Sequence, residues 1–414
     1  MHVNRVVITG IGAITPVGNT AGETWESLIS GVHGIDFITR FDASDFKVRI
    51  AAEVKDFDPL SHFTKDEARK MDIYAQYALV AASEAVADSG IAEKVEAERF
   101  GVYFGSGIGG MTTFMTEHAK LLAGGPRKVS PFYVPMMISN IAAGNIAIRF
   151  GCKGPTLPIV TACATSTNSI GEAFRAVKHG YADAIIAGGS EATINPLAVA
   201  GFINCMALSA ANDPDASSLP FDKRRAGFVM GEGAGALIIE EYEHAVSRGA
   251  HIYAEITGYG NTCDAYHMTA PSPEAEGATM AFSLAMRESG WEPGTKVHIN
   301  SHGTGTPLND KAETLALKKA FGESEAAVLK ITGTKSMTGH MLGAAGAVEA
   351  IASAMALQTG IIPPTVGLLE HDPECDLDYT PGKAVNAVCE MAFSSSLGFG
   401  GHNAVVAMRR YERN

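Results

Sequence analysis

The amino-acid sequence predicts an α/β fold built from two similar halves. Short apolar segments that run into glycine-rich turns alternate with segments of helical periodicity along its 414 residues. This alternation is typical of buried, largely parallel sheets that are covered by helices. A second observation is an internal repeat, because several segments of the first half have a counterpart in the second. We therefore expect two related α/β halves, residues 1–252 and 253–414.

Four pairs of apolar segments carry the repeat, and helical segments stand between them. The predicted strand pairs are residues 7–12 with 255–260, 102–104 with 297–299, 158–161 with 329–332, and 184–189 with the region 398–401. The clearest helical periodicity lies at 74–87, 169–178, 275–289 and 311–321. The repeat places the start of the second half near Ala254.

Composition excludes several classes of protein. The chain carries 32 Lys and Arg against 45 Asp and Glu, a formal net charge of −13. Nucleic-acid binding needs surplus basic residues to neutralise phosphates, so we expect no nucleic-acid partner. Residues 343–362 have the length of a membrane span, but they are rich in Ala and Gly and include Glu349. Burying that carboxylate in lipid is costly, so we expect a buried helix there and no membrane association.

The six cysteines form no C-x-x-C pair and frame no short loop. A disulfide framework or a zinc site is therefore not indicated, and a reducing cytoplasm is the expected location. Residues 6–10 have the pattern of a strand and a turn rather than the apolar core of a signal peptide.

Cys163 stands where an apolar strand ends and a helix of small residues begins. A thiol at a helix N-terminus faces the positive end of the helix dipole, which favours the thiolate. Small neighbouring residues leave room for a substrate to approach. The sequence therefore predicts that Cys163 is a nucleophile, and that the other five cysteines are inert.

His302 and His340 occupy similar positions in the second half. His302 lies at a strand end before a glycine-rich turn, and His340 directly precedes a helix of Gly and Ala. A single histidine is more often structural than catalytic. Two histidines at equivalent strand-to-helix junctions, together with a matching cysteine, indicate an active site.

Three patterns are misleading. Residues 105–110 fit the dinucleotide pattern G-x-G-x-x-G, but no acidic residue ends a strand about 20 residues later. Residues 333–336 resemble the end of a phosphate-binding loop whose first glycine is missing. The histidines lack the close sequence spacing of zinc ligands, so no metal is predicted.

Four ordered motifs resemble those of a known family. They are residues 161–163, 302–306, 334–340 and 398–401. Together they resemble the β-ketoacyl-[acyl-carrier-protein] synthases of bacterial fatty acid synthesis, over essentially the whole chain. The resemblance implies a thiolase-like duplicated α/β fold in five layers, αβαβα, and a homodimer.

The resemblance also implies a reaction, a decarboxylative Claisen condensation. Cys163 would carry the acyl chain as a thioester. His302 and His340 would hydrogen-bond the carbonyl of a malonyl thioester as carbon dioxide leaves. Neutral histidines suit this role, so an acidic pH optimum is not expected. No cofactor is expected, because the substrates would arrive on the phosphopantetheine of acyl carrier protein.

Further residues match family positions. Lys335 and Glu349 match supports of the histidines, and Phe399 matches a gate beside the nucleophile. The backbone N–H groups of Cys163 and Phe399 would bind the oxyanion. The residues matched to substrate contacts are Thr304 and Thr306 on the pantetheine arm, Ile108 and Phe202 in the acyl pocket, and Thr269 in the motif 266–269.

The chain departs from the family pattern at two positions. Ser395 stands where the family commonly has asparagine, which puts in doubt a monovalent cation site near Asn300 and Glu349. Met206 stands where some relatives have a basic residue that contacts the carrier protein.

The carrier protein expected as a partner is acidic, and so is this chain. Binding therefore requires a local basic surface. The residues predicted to form it are Lys65, Arg69, Lys70, Arg127 and Lys128.

Other functions fit less well. A thiolase needs a second cysteine near the last glycine motif, and Cys389 lies too early. Type III synthases have asparagine where this chain has His340. A papain-like protease would need its own signature around the cysteine. An active ketosynthase of polyketide or secondary metabolism is the alternative that the sequence leaves open.

Overall fold

The computed structural model describes residues 3–412, which form a mixed α/β structure around one ten-stranded sheet. Its strands are β1 (Val6–Ile14), β2 (Ile35–Phe37), β3 (Ile50–Ala52), β4 (Phe100–Gly105), β5 (Thr156–Leu157), β6 (Ala184–Glu191), β7 (Gly233–Glu241), β8 (Ala254–Cys263), β9 (Val297–Asn300), β10 (Lys330–Thr332), β11 (Ile361–Ile362), β12 (Val385–Asn386), β13 (Met391–Gly398) and β14 (His402–Arg410).

The helices lie between these strands in the order that the sequence predicts. They are α1 (Ala21–Ser30), α2 (Lys65–Ala68), α3 (Ile73–Ser89), α4 (Met111–Gly124), α5 (Tyr133–Met137), α6 (Ile141–Phe150), α7 (Thr165–Lys178), α8 (Pro196–Asn204), α9 (Tyr242–Ser247), α10 (Glu276–Ser289), α11 (Pro307–Phe321), α12 (Glu323–Ala326), α13 (Lys335–Thr338) and α14 (Ala345–Thr359).

The four predicted helices correspond to α3, α7, α10 and α11, and their capping residues explain where they begin and end. The side chain of Asp72 accepts a hydrogen bond from Tyr74 N at the start of α3. The side chain of Thr306 caps α11, whose first residue is Pro307. Both are standard N-terminal signals, and they start these helices one or a few residues before the predicted positions.

The large sheet has a mirrored strand order, β10-β9-β13-β14-β8-β1-β7-β6-β4-β5. The five strands that come first in the chain stand on one side and the five later strands on the other. Short antiparallel pairing between β1 and β8 joins them. In each set four strands run in one direction and one, β7 or β14, runs in the other. Four neighbouring strand pairs of this sheet are parallel and five are antiparallel, so the sheet is mixed rather than largely parallel as predicted.

Two of the four predicted strand pairs include a segment that is not the strand in the structure. The pairs β1 with β8 and β4 with β9 occupy equivalent places, as the repeat predicts. Residues 158–161 are not a strand but the loop that follows β5, and Pro158 lacks the N–H that a ladder needs. The counterpart of β6 is β13, which ends where the predicted segment 398–401 begins. The glycines of that segment form the turn into β14.

The elements are arranged in five layers. Helices α3 and α6 cover the outer face of β1, β4, β6 and β7, and α10 and α11 cover the strands on the other side. Helices α7 and α14 pack against each other in the middle and contact strands of both sets. This is the expected αβαβα order.

Small residues allow the central helices to approach closely. A Cβ atom on Gly346 would lie 1.9 Å from Thr167 Oγ1, so no larger residue fits where α14 crosses α7. Twelve of the fifteen residues of α14 are buried, including Glu349. The segment 343–362 is therefore a core helix followed by a short strand. Across residues 3–412, every helix is too short or too polar to cross a membrane.

Candidate active site

The central helices bring the three predicted site residues together. Cys163 lies in a single turn, Ala162–Ala164, immediately before α7, and His340 lies just before the equivalent turn that leads into α14. His302 follows β9. The thiol sulfur and one ring nitrogen of each histidine all lie within 4.8 Å of one another. Residues separated by 177 positions in the chain thus share one site, because α7 and α14 are neighbours.

The site opens into a cavity of about 500 Å³. Its lining includes all three of these residues and six others that the resemblance assigned to substrate or gate. Those six are Ile108, Phe202, Thr269, Thr304, Thr306 and Phe399. The rings of Phe202 and Phe399 lie 6.4 Å apart between centroids. The cavity therefore connects the buried thiol with the surface near the exposed residues Thr269 and Met206.

Burial keeps both histidines neutral. His302 and His340 are each 2% exposed. Burial is the main cause that lowers the pKa of each ring well below its ordinary value, and the charge of Lys335 lowers it further. The backbone N–H of Leu342 donates to His340 Nδ1 at 3.3 Å. The proton of the neutral His340 ring is therefore on Nε2, which makes that nitrogen a hydrogen-bond donor.

Burial also acts on Cys163, against the sequence-based prediction. It raises the pKa of the thiol to about 11, although Lys335 and the backbone N–H groups of Phe399 and Cys163 act in the opposite direction. Loss of hydration thus opposes the effect that the helix N-terminus is expected to have on the thiol. The two N–H groups that act on the sulfur are those expected to bind the oxyanion.

Lys335 and Glu349 form a buried ion pair beneath His302. Lys335 Nζ donates to the carboxylate of Glu349 and to the carbonyl oxygen of His302, the latter at 2.6 Å. Both side chains are at most 3% exposed. The pair fixes the backbone of His302 and places a positive charge behind both imidazole rings.

Sequence reasoning missed Glu313, which holds the same backbone from the other side. Its carboxylate accepts hydrogen bonds from the N–H groups of His302 and Gly303, at 2.7 and 2.8 Å. The hydroxyl of Ser395 donates to it at 2.8 Å. A serine therefore occupies the expected asparagine position and makes a specific contact. The available signal was a carboxylate on the apolar face of α11, beside Ala312 and Ala316.

Two further residues shape the site without having been predicted. Asp310 accepts hydrogen bonds from Gly305 N at 3.2 Å and Phe221 N at 2.7 Å, and so holds the turn that carries Thr304 and Thr306. Their hydroxyls lie 3.0 Å apart. Phe228 packs edge-on against His340, with 5.0 Å between ring centroids. A carboxylate in α11 and an aromatic residue in a loop give no such signal in one sequence.

The three central residues have the atom types of metal ligands. Sequence spacing indicated no metal site, yet the fold brings a thiol and two imidazoles within 4.8 Å of one another. Their electrostatic surroundings oppose a cation, because Lys335 already places a positive charge next to all three. A thiol and two imidazoles are ligand types that zinc accepts, but the positive charge of Lys335 disfavours binding of a cation here.

The residues predicted to contact a carrier protein lie on the surface, away from the nucleophile. Lys65 is in α2, Arg69 and Lys70 follow it, and Arg127 and Lys128 lie in the turn Pro126–Lys128. All five are exposed. Asp66 pairs with Arg69 at 3.0 Å and with Lys70 at 2.6 Å, which reduces the positive charge of that group.

A five-layer α/β fold whose two central helices each begin beside a reactive side chain defines the class of thiolase-like condensing enzymes. Solved structures agree. A β-ketoacyl synthase from Burkholderia phymatum STM815 is 34% identical, with a TM-score of 0.91, and the match covers 99% of this chain and 100% of that one. A second structure, AntDE:AntF, has a TM-score of 0.92 at 32% identity, with the same coverage. It is described as a type II PKS acyl-carrier protein in complex with its ketosynthase bound to the hexaketide.

Sequence comparison identifies the family. The N-terminal domain of β-ketoacyl synthase matches residues 3–245, and the C-terminal domain matches residues 253–369. The 3-oxoacyl-[acyl-carrier-protein] synthase 2 of Staphylococcus aureus (strain COL) is 52% identical over 409 residues, which cover 99% of each chain. This chain belongs to the β-ketoacyl synthase family. The thiolase-like fold expected from the resemblance is confirmed.

Proposed function

We propose that the protein elongates fatty acids by two carbons, through a decarboxylative condensation of malonyl-[acyl-carrier-protein] with an acyl group held on Cys163. The observation that carries the proposal is the cluster of one thiol and two neutral imidazoles within 4.8 Å, facing one cavity. Residues 1–252 supply the nucleophile and residues 253–414 supply both histidines, which is the division of labour that we propose for the two halves.

The first step is transfer of the acyl group to Cys163. The raised pKa of the thiol means that it must lose its proton during the attack rather than before it. A neutral imidazole nitrogen within 4.8 Å accepts that proton and passes it to the sulfur of the departing carrier-protein group, so that both rings are neutral again before the second step. The backbone N–H groups of Cys163 and Phe399 stabilise the oxyanion, and the thiol of the carrier protein leaves.

The second step is condensation. His340 Nε2–H and His302 donate hydrogen bonds to the thioester carbonyl of the malonyl group. As the carboxylate leaves as carbon dioxide, negative charge moves onto that oxygen, where the two donors and the nearby Lys335 ammonium stabilise it. The resulting carbanion attacks the acyl carbonyl, a carbon–carbon bond forms, and the bond to the Cys163 sulfur breaks. The released thiolate takes up a proton from solvent and returns to the thiol. Neutral rings are required, because a charged imidazolium would be costly in this buried site.

The cavity lining supports the binding assignments. We propose that Thr304, Thr306 and Thr269 contact the phosphopantetheine arm, because they lie between the surface and the nucleophile. Ile108 and Phe202 would line the acyl pocket, with Phe399 between the two regions. We propose no metal and no further cofactor for the reaction, since every step described uses side chains and backbone groups of this chain.

Acyl carrier protein is the proposed partner. A ketosynthase of similar structure, 32% identical, was solved in complex with an acyl-carrier protein. Fatty acid elongation is favoured over polyketide synthesis because the relative named 3-oxoacyl-[acyl-carrier-protein] synthase 2 is 52% identical, against 32% for that polyketide ketosynthase. We place the reaction in the cytoplasm, where a reducing environment keeps thiols free, as the cysteines are in the described residues.

We also propose a homodimer. Strand β5 stands at the edge of the large sheet, and both of its residues are exposed. Apolar side chains surround this edge, with Ile148 80% exposed, Val160 50% and Leu157 49%. An open strand edge with apolar neighbours pairs readily with the same edge of a second copy.

A condensation assay tests the function. The protein is incubated with acyl- and malonyl-carrier protein, and released carbon dioxide and the product chain are measured. We expect a 3-oxoacyl product two carbons longer and acylation of Cys163 alone, by peptide mass mapping. His302→Ala and His340→Ala should retain acylation in part and lose decarboxylation by about 100- to 1000-fold, as for removal of an oxyanion donor.

The control variant is Cys205→Ser, which changes an exposed cysteine at the cavity mouth. It should leave the site of acylation unchanged. Label on Cys205 or Cys389 instead of Cys163 would contradict the assignment of the nucleophile. Normal decarboxylation by either histidine variant would show that this histidine has another role. A product formed only from polyketide-type starter groups would favour the alternative pathway.

A further inference from the structure

Glu191 is a buried carboxylate beside the acyl site that the proposed reaction does not use. It is the last residue of β6 and is completely buried. Four groups donate hydrogen bonds to it. They are the hydroxyl of Ser106 at 2.9 Å and the backbone N–H groups of Gly107 at 2.9 Å, Ile108 at 3.3 Å and Gly343 at 3.0 Å.

These donors come from two loops that both contribute to the cavity wall. Ser106, Gly107 and Ile108 follow β4, and the side chain of Ile108 lines the cavity. Gly343 follows Leu342, which lines the cavity as well. The loops are in close contact, because a Cβ atom on Gly343 would lie 2.4 Å from Gly107 N. The carboxylate therefore joins two wall segments that are 235 residues apart in the chain.

The hydrogen bonds to Glu191 are of a kind that only a carboxylate can accept. All four donors point at its two oxygens, two donors to each oxygen. An amide in the same place has one oxygen, and its NH₂ group would face at least one backbone N–H donor, either that of Ile108 or those of Gly107 and Gly343. A buried donor without an acceptor is costly, so the loops would have to move apart or turn. Ile108, which is 37% exposed, would move with its loop.

We propose that Glu191 is a specificity-determining positioning residue, whose carboxylate fixes the wall segments of Ile108 and Leu342 and so determines which acyl chains the pocket accepts. The inference rests on the proposed function, because it assigns the cavity beside Cys163 to the acyl chain. Glu191 acts through these two residues, since its own side chain is absent from the lining of the cavity.

The charge of Glu191 gives a readout that a purely structural residue would not affect. Burial raises the pKa of Glu191 to about 7, so it is ionised in the alkaline range in which the Cys163 thiol titrates, and its negative charge there contributes to the raised pKa of that thiol. Lys335, His302 and His340 are further charged or titratable groups near the thiol. Loss of the negative charge should therefore lower the pH at which Cys163 becomes reactive.

The experiment compares three substitutions in the full-length protein. Glu191→Gln keeps the size and removes the charge, while Glu191→Asp keeps the charge and shortens the side chain. Glu84→Gln is the matched control, because Glu84 also joins two segments through backbone N–H groups, those of Ala13 and Ala21, and none of these three residues lines the cavity. Each protein is first shown by circular dichroism and thermal unfolding to be folded.

Two quantities are measured. The first is the rate of acyl transfer to Cys163 from thioesters of short and long acyl chains on pantetheine, followed by intact-protein mass spectrometry. The second is the rate of iodoacetamide alkylation of Cys163 as a function of pH. We expect both Glu191 variants to change the ratio of long-chain to short-chain rates by about 5-fold or more, on the scale set by one or two methylene groups in a pocket. Only Glu191→Gln should shift the alkylation midpoint, to lower pH.

The outcomes separate this inference from the proposed function. If none of the acyl chains is transferred to Cys163 of the wild-type protein, the proposed function fails. If wild type is active and folded Glu191→Gln keeps the wild-type rate ratio, the inference is overturned, even when all chains react more slowly. If Glu191→Gln does not fold, Ser106→Ala removes one donor while keeping the charge, and a change in the rate ratio is expected there too. An equal change in Glu84→Gln would also overturn the inference.

Discussion

Three histidines in the second half of the chain are buried and neutral. Keeping these rings neutral lowers the free energy of unfolding at acidic pH. His302 and His340 belong to the site, whereas His298 in β9 lies in the core, where its ring forms a hydrogen bond with Thr332 Oγ1 at 3.2 Å. Burial lowers the pKa of His298 to about 3 from an ordinary value of 6.5. A neutral ring in the core must gain a proton when the protein unfolds in acid.

His298→Gln tests this cost. Between pH 6.5 and about 3 the unfolded chain binds a proton at His298 that the folded protein does not, so the stabilising contribution is complete above pH 6.5 and is lost as pH falls. The loss approaches about 1.4 kcal/mol per pH unit. We expect the free energy of unfolding in urea to fall less steeply between pH 6.5 and 5 in the variant than in wild type.

The comparison with wild type isolates this histidine. Buried carboxyl groups such as Asp310, whose pKa is raised to about 6, contribute a dependence of opposite sign, but they are common to both proteins. Equal slopes for the two proteins would mean that His298 is not held neutral in the folded state.

At the residue scale, sequence reasoning identified side chains better than their chemical state. The types and positions of Cys163, His302 and His340 were sufficient to place them at equivalent junctions. The pKa of Cys163 could not be predicted, because it depends on how completely later segments bury the thiol. Glu313 and Glu191 were missed for the same reason, since their partners are backbone N–H groups that no side-chain motif records.

At the scale of elements, the structure divides the predicted docking surface into two unequal groups. Around α2, Asp66 pairs with both Arg69 and Lys70. For Arg127 and Lys128, in the turn before α5, residues 3–412 contain no ion pair within 4.0 Å. The turn therefore presents the less compensated positive charge.

Charge reversal tests this division. We expect Arg127→Glu with Lys128→Glu to slow association with acidic acyl carrier protein by about 10-fold at low salt, and Arg69→Glu with Lys70→Glu to slow it less. Association rates at two salt concentrations, from stopped-flow measurements, provide the test. Turnover of a small pantetheine thioester serves as the control and should remain unchanged in both variants. An equal or larger effect of the α2 pair would contradict the division.

Element boundaries were predicted well for helices and less well for strands. Long helices such as α3 and α10 have strong periodicity and clear capping residues. Strands β5 and β10 have two and three residues, too few for a period-two pattern to appear. The segment 398–401, predicted as the counterpart of β6, is a glycine turn. Such a turn is easier to recognise in a sequence than β13, the strand that precedes it.

For the whole molecule, we expect two copies to associate through the open sheet edge at β5. Ile148→Glu places a charge on the exposed apolar face next to that edge, where desolvation in an interface would be costly. We expect wild type to behave as a dimer, of twice 43.3 kDa, and the variant to shift toward monomer in light scattering after size-exclusion chromatography.

Leu369→Glu is the matched control, because Leu369 is also 80% exposed but lies in the second half of the chain, between β11 and β12. It should leave the mass unchanged. A monomeric wild type, or an equal effect of the two substitutions, would contradict the proposed homodimer.

The overall architecture could be predicted from the sequence because the second half of the chain repeats the pattern of the first. Weak similarity between the segments that became β1 and β8 was enough to predict duplication, and the mirrored strand order follows from it. The reversal of β7 and β14 and the pairing that joins the two sets could not be predicted. They depend on long-range hydrogen bonds that leave no local pattern.

The shared middle layer has a consequence for synthesis on the ribosome. Helix α7 is complete long before α14, its partner, is translated, and at about 5–20 residues per second the interval is roughly 10–30 s. During that time the face of α7 that later packs against α14 has not yet gained that contact. We therefore expect the nascent chain to be more prone to aggregation until residues 345–359 have emerged and α14 can pack against α7.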